Sequence, residues 1–384
     1  MRADRAAART KTAFRPRDEG GYGVPMHRRA FLGSAAATLA LPACATVQPR
    51  MAARGCLPAV DVSPDRVIRT LAGLRPFRPA GFRVEAATLG DKRIVHNYGH
   101  GGAGITLSWG TSKLACDIGL QGHEGPVAVI GAGVMGLSTA RLAQEAGFDV
   151  TIYTKALPPE TTSNIAGGQW HPFGHFDRSA VTDEWRARYL AAAAYSWRRF
   201  QIMVGDDYGV RWLPTYSQGG AEEQLFPSFP PNSRALRPEE HPFPLDRVSR
   251  FDTIYVEVGR YLRQMIRDVQ VAGGAVHVRD FASPADVAAL PERLIFNCTG
   301  LGARALFGDE TLIPIRGQLA ILEPQPEIAY AFTGDAGYMF PRPDGILLGG
   351  TFERNVWDAT PQPDAIARIV ASHQRLFAGF RCTA

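Results

Sequence analysis

Residues 127–136 read Val-Ala-Val-Ile-Gly-Ala-Gly-Val-Met-Gly, and nothing else in the chain narrows its fold so far. Apolar β-formers over 127–131 predict a short buried strand, and the spacing over 134–146 predicts a helix. In that setting each glycine of Gly131-x-Gly133-x-x-Gly136 has a use. Gly131 permits the tight turn, Gly133 lets backbone approach a pyrophosphate, and Gly136 lets the helix pack close to the strand. The helix N-terminus then presents free N–H groups and its positive end to phosphates. A second strand over 149–153 (DVTIY) opens a βαβ unit and predicts an α/β, Rossmann-like dinucleotide domain. The acid expected about twenty residues on, which would hold a nicotinamide dinucleotide's ribose, is missing: the strand runs into Thr154-Lys155.

The 384 residues give room for two domains, and 45% hydrophobic with 21% charged residues describes an ordered globular chain. The net charge of +5 suggests nucleic acid, but its distribution does not. Residues 1–54 hold ten Arg or Lys against Asp4, Asp18 and Glu19, a net +7 that leaves −2 for the rest. No basic stripe remains to track phosphates, so no nucleic-acid partner is expected. The leader resembles a twin-arginine export signal: Arg28-Arg29, Phe31-Leu32, a small apolar run from Gly33 to Leu41, then Ala43-Cys44-Ala45. That run is too short to span a membrane, and it predicts a periplasmic protein. Leu41-Pro42-Ala43-Cys44 resembles a lipoprotein box, making Cys44 a candidate lipid-anchor site facing the periplasm; Ala43-x-Ala45 suits ordinary cleavage instead. Met26, just before His27-Arg28-Arg29, is an alternative start. Cys116 and Cys298 lie in apolar segments and are expected in the core.

Beyond a Pro/Ala/Gly linker at 48–60, residues 64–72 have helical periodicity. Strands are expected over 82–87 and 93–98, a Gly-rich turn over 99–104, a helix over 105–118 and a linker over 119–126. A helix is expected over 182–204, a Pro/Ser/Gly-rich surface loop over 214–250 and a helix over 256–272. Strands at 275–279 and 294–298 continue the α/β pattern. Strands near 318–323, 338–341 and 345–349 suggest antiparallel sheet, and a last helix covers 363–378.

Two further stretches carry chemistry. Thr161-Thr162-Ser163 can bond phosphate or ribose oxygens, and Gly167-Gly168 lets a flat ring lie against backbone before Gln169-Trp170. On composition the same stretch also reads as a polar loop with one buried Trp. His171 and His175 have no third partner in sequence, so no metal site is expected. The other stretch pairs Gly73-Leu74-Arg75-Pro76-Phe77-Arg78 with His96-Asn97-Tyr98-Gly99-His100-Gly101-Gly102-Ala103-Gly104-Ile105-Thr106. A fixed guanidinium is the usual bidentate partner of a carboxylate, and glycines entering a helix suit an anion at its N-terminus.

Together, VAVIGAGVMGLSTA, TTSNIAGGQWHPF, FNCTG, IRGQ, YMFPRPDGILLGGT, GLRPFRPAGFRVE and IVHNYGHGGAGIT make the chain resemble the D-amino-acid oxidases across roughly residues 57–384. The resemblance implies FAD as cofactor, a D-amino acid and oxygen as small-molecule partners, and an antiparallel-sheet substrate domain beside the FAD domain. Arg75 would clamp the substrate carboxylate, Tyr338 would hydrogen-bond it, and the Gly102 carbonyl would accept from the amine. Gly131, Gly133, Val134, Met135 and Gly136 would face the pyrophosphate, with Thr161, Thr162 and Ser163 alongside. Gly167, Gly168, Gln169 and Thr299 would lie at the flavin ring, and Gly101, Gly102, Ala103, Gly104, Ile105 and Thr106 along its pyrimidine edge. The implied reaction passes a hydride from Cα to flavin N5 and yields a 2-oxo acid, ammonia and hydrogen peroxide. Alternatives are a D-aspartate oxidase, an amine oxidase acting on glycine or sarcosine, or a flavin-binding protein with little turnover. A homodimer is compatible with all of these.

Two features depart from the family. Gly334 stands where the family has a second Tyr, and the lid of animal members is not recognisable in 214–250. In the family the GLRPFR and HNYGHGG segments also close the chain, whereas here they precede the GAGVMG strand. The order implies a circular permutation whose original ends are joined through 119–126. The expected layout is a leader and linker over 1–55, the permuted segment over 56–121, an FAD-binding βαβ over 126–180 and a mixed substrate-side region over 181–293. A return to the FAD fold over 294–317 and substrate-domain strands with the last helix over 318–384 complete it. In the permuted order Cys56 and Cys382 lie near one old chain continuity, where an oxidising compartment would permit a disulfide.

Overall fold

The computed structural model describes residues 56–381. The leader with Arg28, Arg29 and Cys44 lies outside that range. Cys56 is disulfide-bonded, and the Cys56–Cys382 pairing falls on a residue outside the described range.

A 3-10 turn at Pro64–Arg66 leads into β1 (Val67–Phe77), followed by β2 (Arg83–Leu89), β3 (Lys92–Tyr98) and α1 (Gly104–Leu120). The glycine-motif unit is β4 (Val127–Ile130), α2 (Val134–Glu145) and β5 (Val150–Thr154). Then come α3 (Asp183–Ile202), β6 (Val210–Gln218), β7 (Arg234–Leu236), β8 (Val248–Val256), α4 (Val258–Val271) and β9 (Ala275–Val278). The chain ends with α5 (Pro284–Ala288), β10 (Leu294–Asn297), α6 (Gly302–Phe307), β11 (Ile313–Leu322), β12 (Ala331–Gly334), β13 (Gly337–Arg342), β14 (Gly345–Gly349), β15 (Glu353–Arg354) and α7 (Pro363–Ala378).

These strands form two sheets. The smaller runs β2-β3-β10-β4-β5-β9 and is parallel except where β2 pairs with β3. β4 and β10 are buried along their whole length, as strands covered on both faces must be. The larger runs β1-β11-β14-β13-β12-β6-β8-β7, with β15 beside β11, and is antiparallel except between β12 and β6. This is the α/β fold with an antiparallel substrate-side sheet that the motifs imply.

Close packing explains the small residues of α1. A Cβ on Gly110 would overlap the Ala192 carbonyl of α3, and one on Gly119 would meet the Phe296 ring at 2.8 Å. α3 starts where Thr182 Oγ1 accepts from Trp185 N at 3.1 Å, with Asp183 and Glu184 at the positive end of the helix. Cys116 and Cys298 are buried free thiols.

The structure corrects three expectations. Residues 67–72 are strand rather than helix: β1 pairs with β11 from Val67↔Leu322 to Phe77↔Ile313, and this pairing overrides local periodicity. Ile68, one of the apolar residues that suggested a helix face, is 53% exposed. The stretch 214–250 is not one loop, since β6 and β8 pair from Val210↔Val256 to Gln218↔Val248. Only 219–233 and 237–247 connect strands there. The boundary at 317/318 falls inside β11, and the permuted segment serves both sheets, β1 in the larger and β2, β3 and α1 in the smaller.

Candidate active site

A cavity of about 1180 Å³ runs along the C-terminal edge of the parallel strands, where open α/β sheets bind ligands. Residues just beyond successive strands line it in sheet order: Gly101 and Gly102 after β3, Thr299 after β10, Gly131 and Gly133 after β4, Lys155 after β5, Arg279 and Asp280 after β9. Its far wall is the larger sheet, through Arg75, Leu319, Thr333, Tyr338 and Ser217.

The glycine motif behaves as its spacing predicts. Gly131 has φ +111°, and a Cβ there would lie 2.6 Å from the Cys298 carbonyl. A Cβ on Gly136 would overlap the Gly131 carbonyl. Gly136 therefore sets helix–strand contact, as its spacing predicts, and is not among the residues that line the cavity. Val134 N donates to Ser163 Oγ at 3.0 Å, and Ala132 N to Thr154 Oγ1 at 3.1 Å. Thr161, Thr162 and Ser163 line the cavity beside this helix start, as do Val134 and Met135.

Downstream, the chain crosses to the larger sheet. Val256 N donates to Gly168 O at 2.8 Å and Trp170 N to Ile254 O at 2.7 Å, which seats Gly167, Gly168 and Gln169 on the cavity wall. A Cβ on Gly167 would meet the Phe340 ring at 2.7 Å, so the loop lies flush there. Trp170 is fully buried beside Trp197 and Phe229. The buried Gln169 Nε2 makes no hydrogen bond of ordinary length, although it lies near enough to the Tyr255 hydroxyl to interact with it.

The second helix N-terminus belongs to α1. Gly101, Gly102, Gly104 and Ile105 line the cavity, and no side chain caps the helix at Ala103. The positive dipole end of the helix therefore faces the cavity. Ala103 and Thr106 do not line the cavity: Ala103 is fully buried, and Thr106 Oγ1 donates to His171 O at 3.3 Å. His96 Nδ1 pairs with Asn297 Nδ2 at 2.9 Å, and Asn297 Oδ1 accepts from Thr299 Oγ1 at 2.7 Å, which fixes Thr299 at the wall. Burial, then the nearby Arg83 charge, lowers His96 to about 4. Burial, then His175, lowers His100 to about 3, so both imidazoles stay neutral at neutral pH.

Arg75 and Tyr338 meet at one wall of the cavity. Arg75 donates from Nη1 to Thr351 O at 3.3 Å and from Nη2 to Tyr338 Oη at 3.4 Å. Gly317, across from Gly73 in the β1–β11 register, makes room for the guanidinium: a Cβ there would stand 2.5 Å from Arg75 Cζ. Tyr338 stacks on Phe340 at 4.8 Å, and a Cβ on Gly350 would come within 2.6 Å of its hydroxyl. Gly102 N donates to Gly174 O at 3.0 Å, which holds that turn at the cavity. Arg78 is not an alternative clamp, because its Nε pairs with the buried Asp309 at 3.0 Å and its Nη1 donates to Gly81 O.

Several lining residues escaped sequence reasoning. At the nucleotide end these are Glu160 and the Lys155–Asp280 pair, 2.9 Å apart. At the substrate end they are His171, Ser217, Glu222, Phe173 and Phe352. The neighbouring His171 ring, then the Ser217 hydroxyl, hold the Glu222 carboxyl below the ordinary carboxylate range against the cost of burial. No motif marks Glu222, since only the return of the 219–233 loop brings it to the cavity. Among the described residues no group of three or more His, Cys, Asp or Glu could hold a metal, and no helix is long and apolar enough to cross a membrane.

The family described as "DAO: FAD dependent oxidoreductase" matches residues 2–118 and 126–383. The chain belongs to this family. A D-amino-acid oxidase of Streptomyces coelicolor is 32% identical over 265 residues, covering 65% of this chain and 76% of the relative. The human D-aspartate oxidase is 27% identical over 274 residues, covering 64% and 74%. Among solved structures, a glycine oxidase from Geobacillus kaustophilus superposes with a TM-score of 0.50 at 15% identity, covering 67% of this chain and 80% of that one, a likeness of fold. Family membership makes FAD the cofactor, and the residues present fit it. The glycine cradle, two helix N-termini and the Gln169 amide line one cavity along the sheet edge. Gly131, Gly133, Val134, Thr161, Thr162 and Ser163 would hold the pyrophosphate, and Gly167, Gly168, Gln169, Thr299 and the start of α1 the ring.

Proposed function

We propose that the protein oxidises the amine of a D-amino acid, giving a 2-oxo acid, ammonia and hydrogen peroxide. The observation that carries this reading is the Arg75–Tyr338 pair at one wall of the cavity that takes the dinucleotide. The guanidinium would take the α-carboxylate as a fixed fork, with the Tyr338 hydroxyl completing its hydrogen bonds. The Gly102 carbonyl would accept from the amine. With both groups held, one enantiomer alone turns its Cα–H toward the ring while its side chain enters the remaining space. Orientation is the main contribution of these residues, and the positive end of α1 favours negative charge developing beside it. FAD supplies the two-electron acceptor, with oxygen as the final oxidant. The imino acid released is hydrolysed by water to the 2-oxo acid and ammonia.

Peroxide release from D-alanine, D-aspartate, D-lysine and glycine, each against its L-isomer where one exists, tests the reading on yellow, FAD-loaded protein. Turnover of L-isomers alone, or of none of the panel, overturns it.

The leader supports export by a twin-arginine route to the periplasm, with cleavage near Ala45 or lipid attachment at Cys44. Segment order supports the circular permutation. The family match breaks between residues 118 and 126, at the linker where the old ends would be joined. Single relatives align over 61–65% of the chain, about the share that follows that linker. The described ends also share one core: Val60 and Val62 pack in the cluster that holds Leu376 and Phe377 of α7, and Tyr330 Oη donates to Pro58 O at 2.7 Å. Neighbouring ends are what a permutation needs.

A further inference from the structure

The substrate end of the cavity carries a second charge that the carboxylate clamp leaves unused. Ser217 of β6 pairs with Thr333 of β12, which pairs with Tyr338 of β13, and all three line the cavity. One row of the sheet thus runs from the clamp to Ser217, two strand spacings or about 10 Å away. At its end Ser217 Oγ donates to Glu222 Oε1 at 3.2 Å, and Ser233 Oγ donates to the Glu222 carbonyl at 3.1 Å. One hydroxyl therefore holds the carboxylate and a second fixes its backbone, leaving the side chain 29% exposed at the cavity.

The charges are divided between the two ends. Lys155, Glu160, Arg279 and Asp280 follow β5 and β9, at the nucleotide end. Among the described residues lining the substrate end, Arg75 is the one permanent cation and Glu222 the one carboxylate, with His171 Nε2 3.7 Å from it. An extended side chain of four methylenes spans about 6 Å from Cα to its terminal nitrogen. It would bring an ammonium or guanidinium to Glu222 while Arg75 holds the α-carboxylate. A side-chain carboxylate would meet Glu222 with no second permanent cation to answer it, and like charges brought together discriminate strongly.

We propose that Glu222 selects D-amino acids whose side chain ends in a cation, the class of D-lysine, D-ornithine and D-arginine. The proposal rests on the oxidase reading above, because it needs Arg75 at the other end of the same substrate. Two measurements on FAD-loaded protein test it. The first is kcat/KM for D-lysine, D-norleucine and D-aspartate, in the parent and in Glu222→Gln. D-lysine should exceed its neutral near-isostere D-norleucine by about tenfold or more, as a partly desolvated ion pair allows, and Glu222→Gln should bring that ratio close to one. A parent that prefers D-norleucine or D-aspartate, or a ratio that Glu222→Gln leaves in place, overturns the proposal.

The second measurement needs no turnover. Binding of 6-aminohexanoate and of hexanoate, read from the flavin spectrum, should favour the amine-bearing acid in the parent and lose that preference in Glu222→Gln. If D-alanine and D-norleucine are oxidised but neither measurement favours the cation, the oxidase reading stands and the Glu222 proposal falls. If no D-amino acid is oxidised while 6-aminohexanoate still binds through Glu222, the oxidase reading falls, substrate selection falls with it, and Glu222 is left as a cation-binding group only.

Discussion

Gly317→Ala should injure substrate binding through Arg75 while leaving the fold nearly intact. The added Cβ would stand 2.5 Å from both Cζ and Nη1 of Arg75. Carbon and nitrogen rest comfortably at about 3.5 Å, so the guanidinium must retreat by about 1 Å. It sits at the far end of a flexible side chain, and β11 has no reason to move. The Arg75 Nη2–Tyr338 Oη bond, already 3.4 Å long, would break, and the fork would no longer meet the carboxylate squarely. Losing one hydrogen bond to a charged group costs about 1.5–3 kcal/mol, or roughly a 10- to 150-fold fall in kcat/KM. Arg75→Leu sets the outer bound, at about 2–5 kcal/mol for removing the whole partner. The assay is kcat/KM for D-alanine or the best substrate of the panel, with flavin content and thermal midpoint measured on the same preparations. A Gly317→Ala protein that keeps its flavin and its kcat/KM within twofold of the parent refutes the clamp geometry.

Three further outcomes follow from other parts of the chain. Burial, then the nearby His171, lowers His175 to about 3, and its two ring nitrogens have no partners among Phe176, Trp185 and Tyr189. The unfolded chain binds a proton near pH 6.5 that the folded chain refuses, so stability should fall as pH drops from about 6.5 toward 3. His175→Leu should make thermal midpoints between pH 7.5 and 4.5 less steeply pH-dependent, and an unchanged slope counts against this. Replacing Arg28 and Arg29 by lysine should leave folded yellow protein in the cytoplasm; unaltered fractionation would show the pair is not an export signal. Joining Ala384 to Arg54 through a short linker and opening the chain between Gly122 and Pro126 should give a protein that binds FAD and turns over like the parent. Insoluble or flavin-free product at every linker length would mean the segment order is not a permutation of one fold.

Much of this architecture is legible locally because backbone chemistry demands particular residues. Gly131 is required by the positive φ of the turn and Gly136 by the approach of the Gly131 carbonyl, so the nucleotide cradle can be read from ten residues. The helices α1, α3 and α7 are equally plain, since their apolar spacing is local. Local spacing over 64–72 suggests a helix, but Ile68 is exposed and the state of this segment depends on β11, more than two hundred residues away. The same holds at the substrate end. The types and family positions of Arg75 and Tyr338 mark them as candidates, but only the β1–β11 and β13–β14 pairings bring guanidinium and phenol to one wall. Those pairings also disqualify Arg78, by giving it to Asp309. Glu222 lies in a loop without periodicity or motif, and its arrival beside Ser217 follows from β6 and β8 pairing through a stretch whose prolines read as loop. Residue type and short spacing decide local backbone geometry, whereas which side chains share a cavity is decided by long-range strand pairing, which leaves no mark at the residues it brings together.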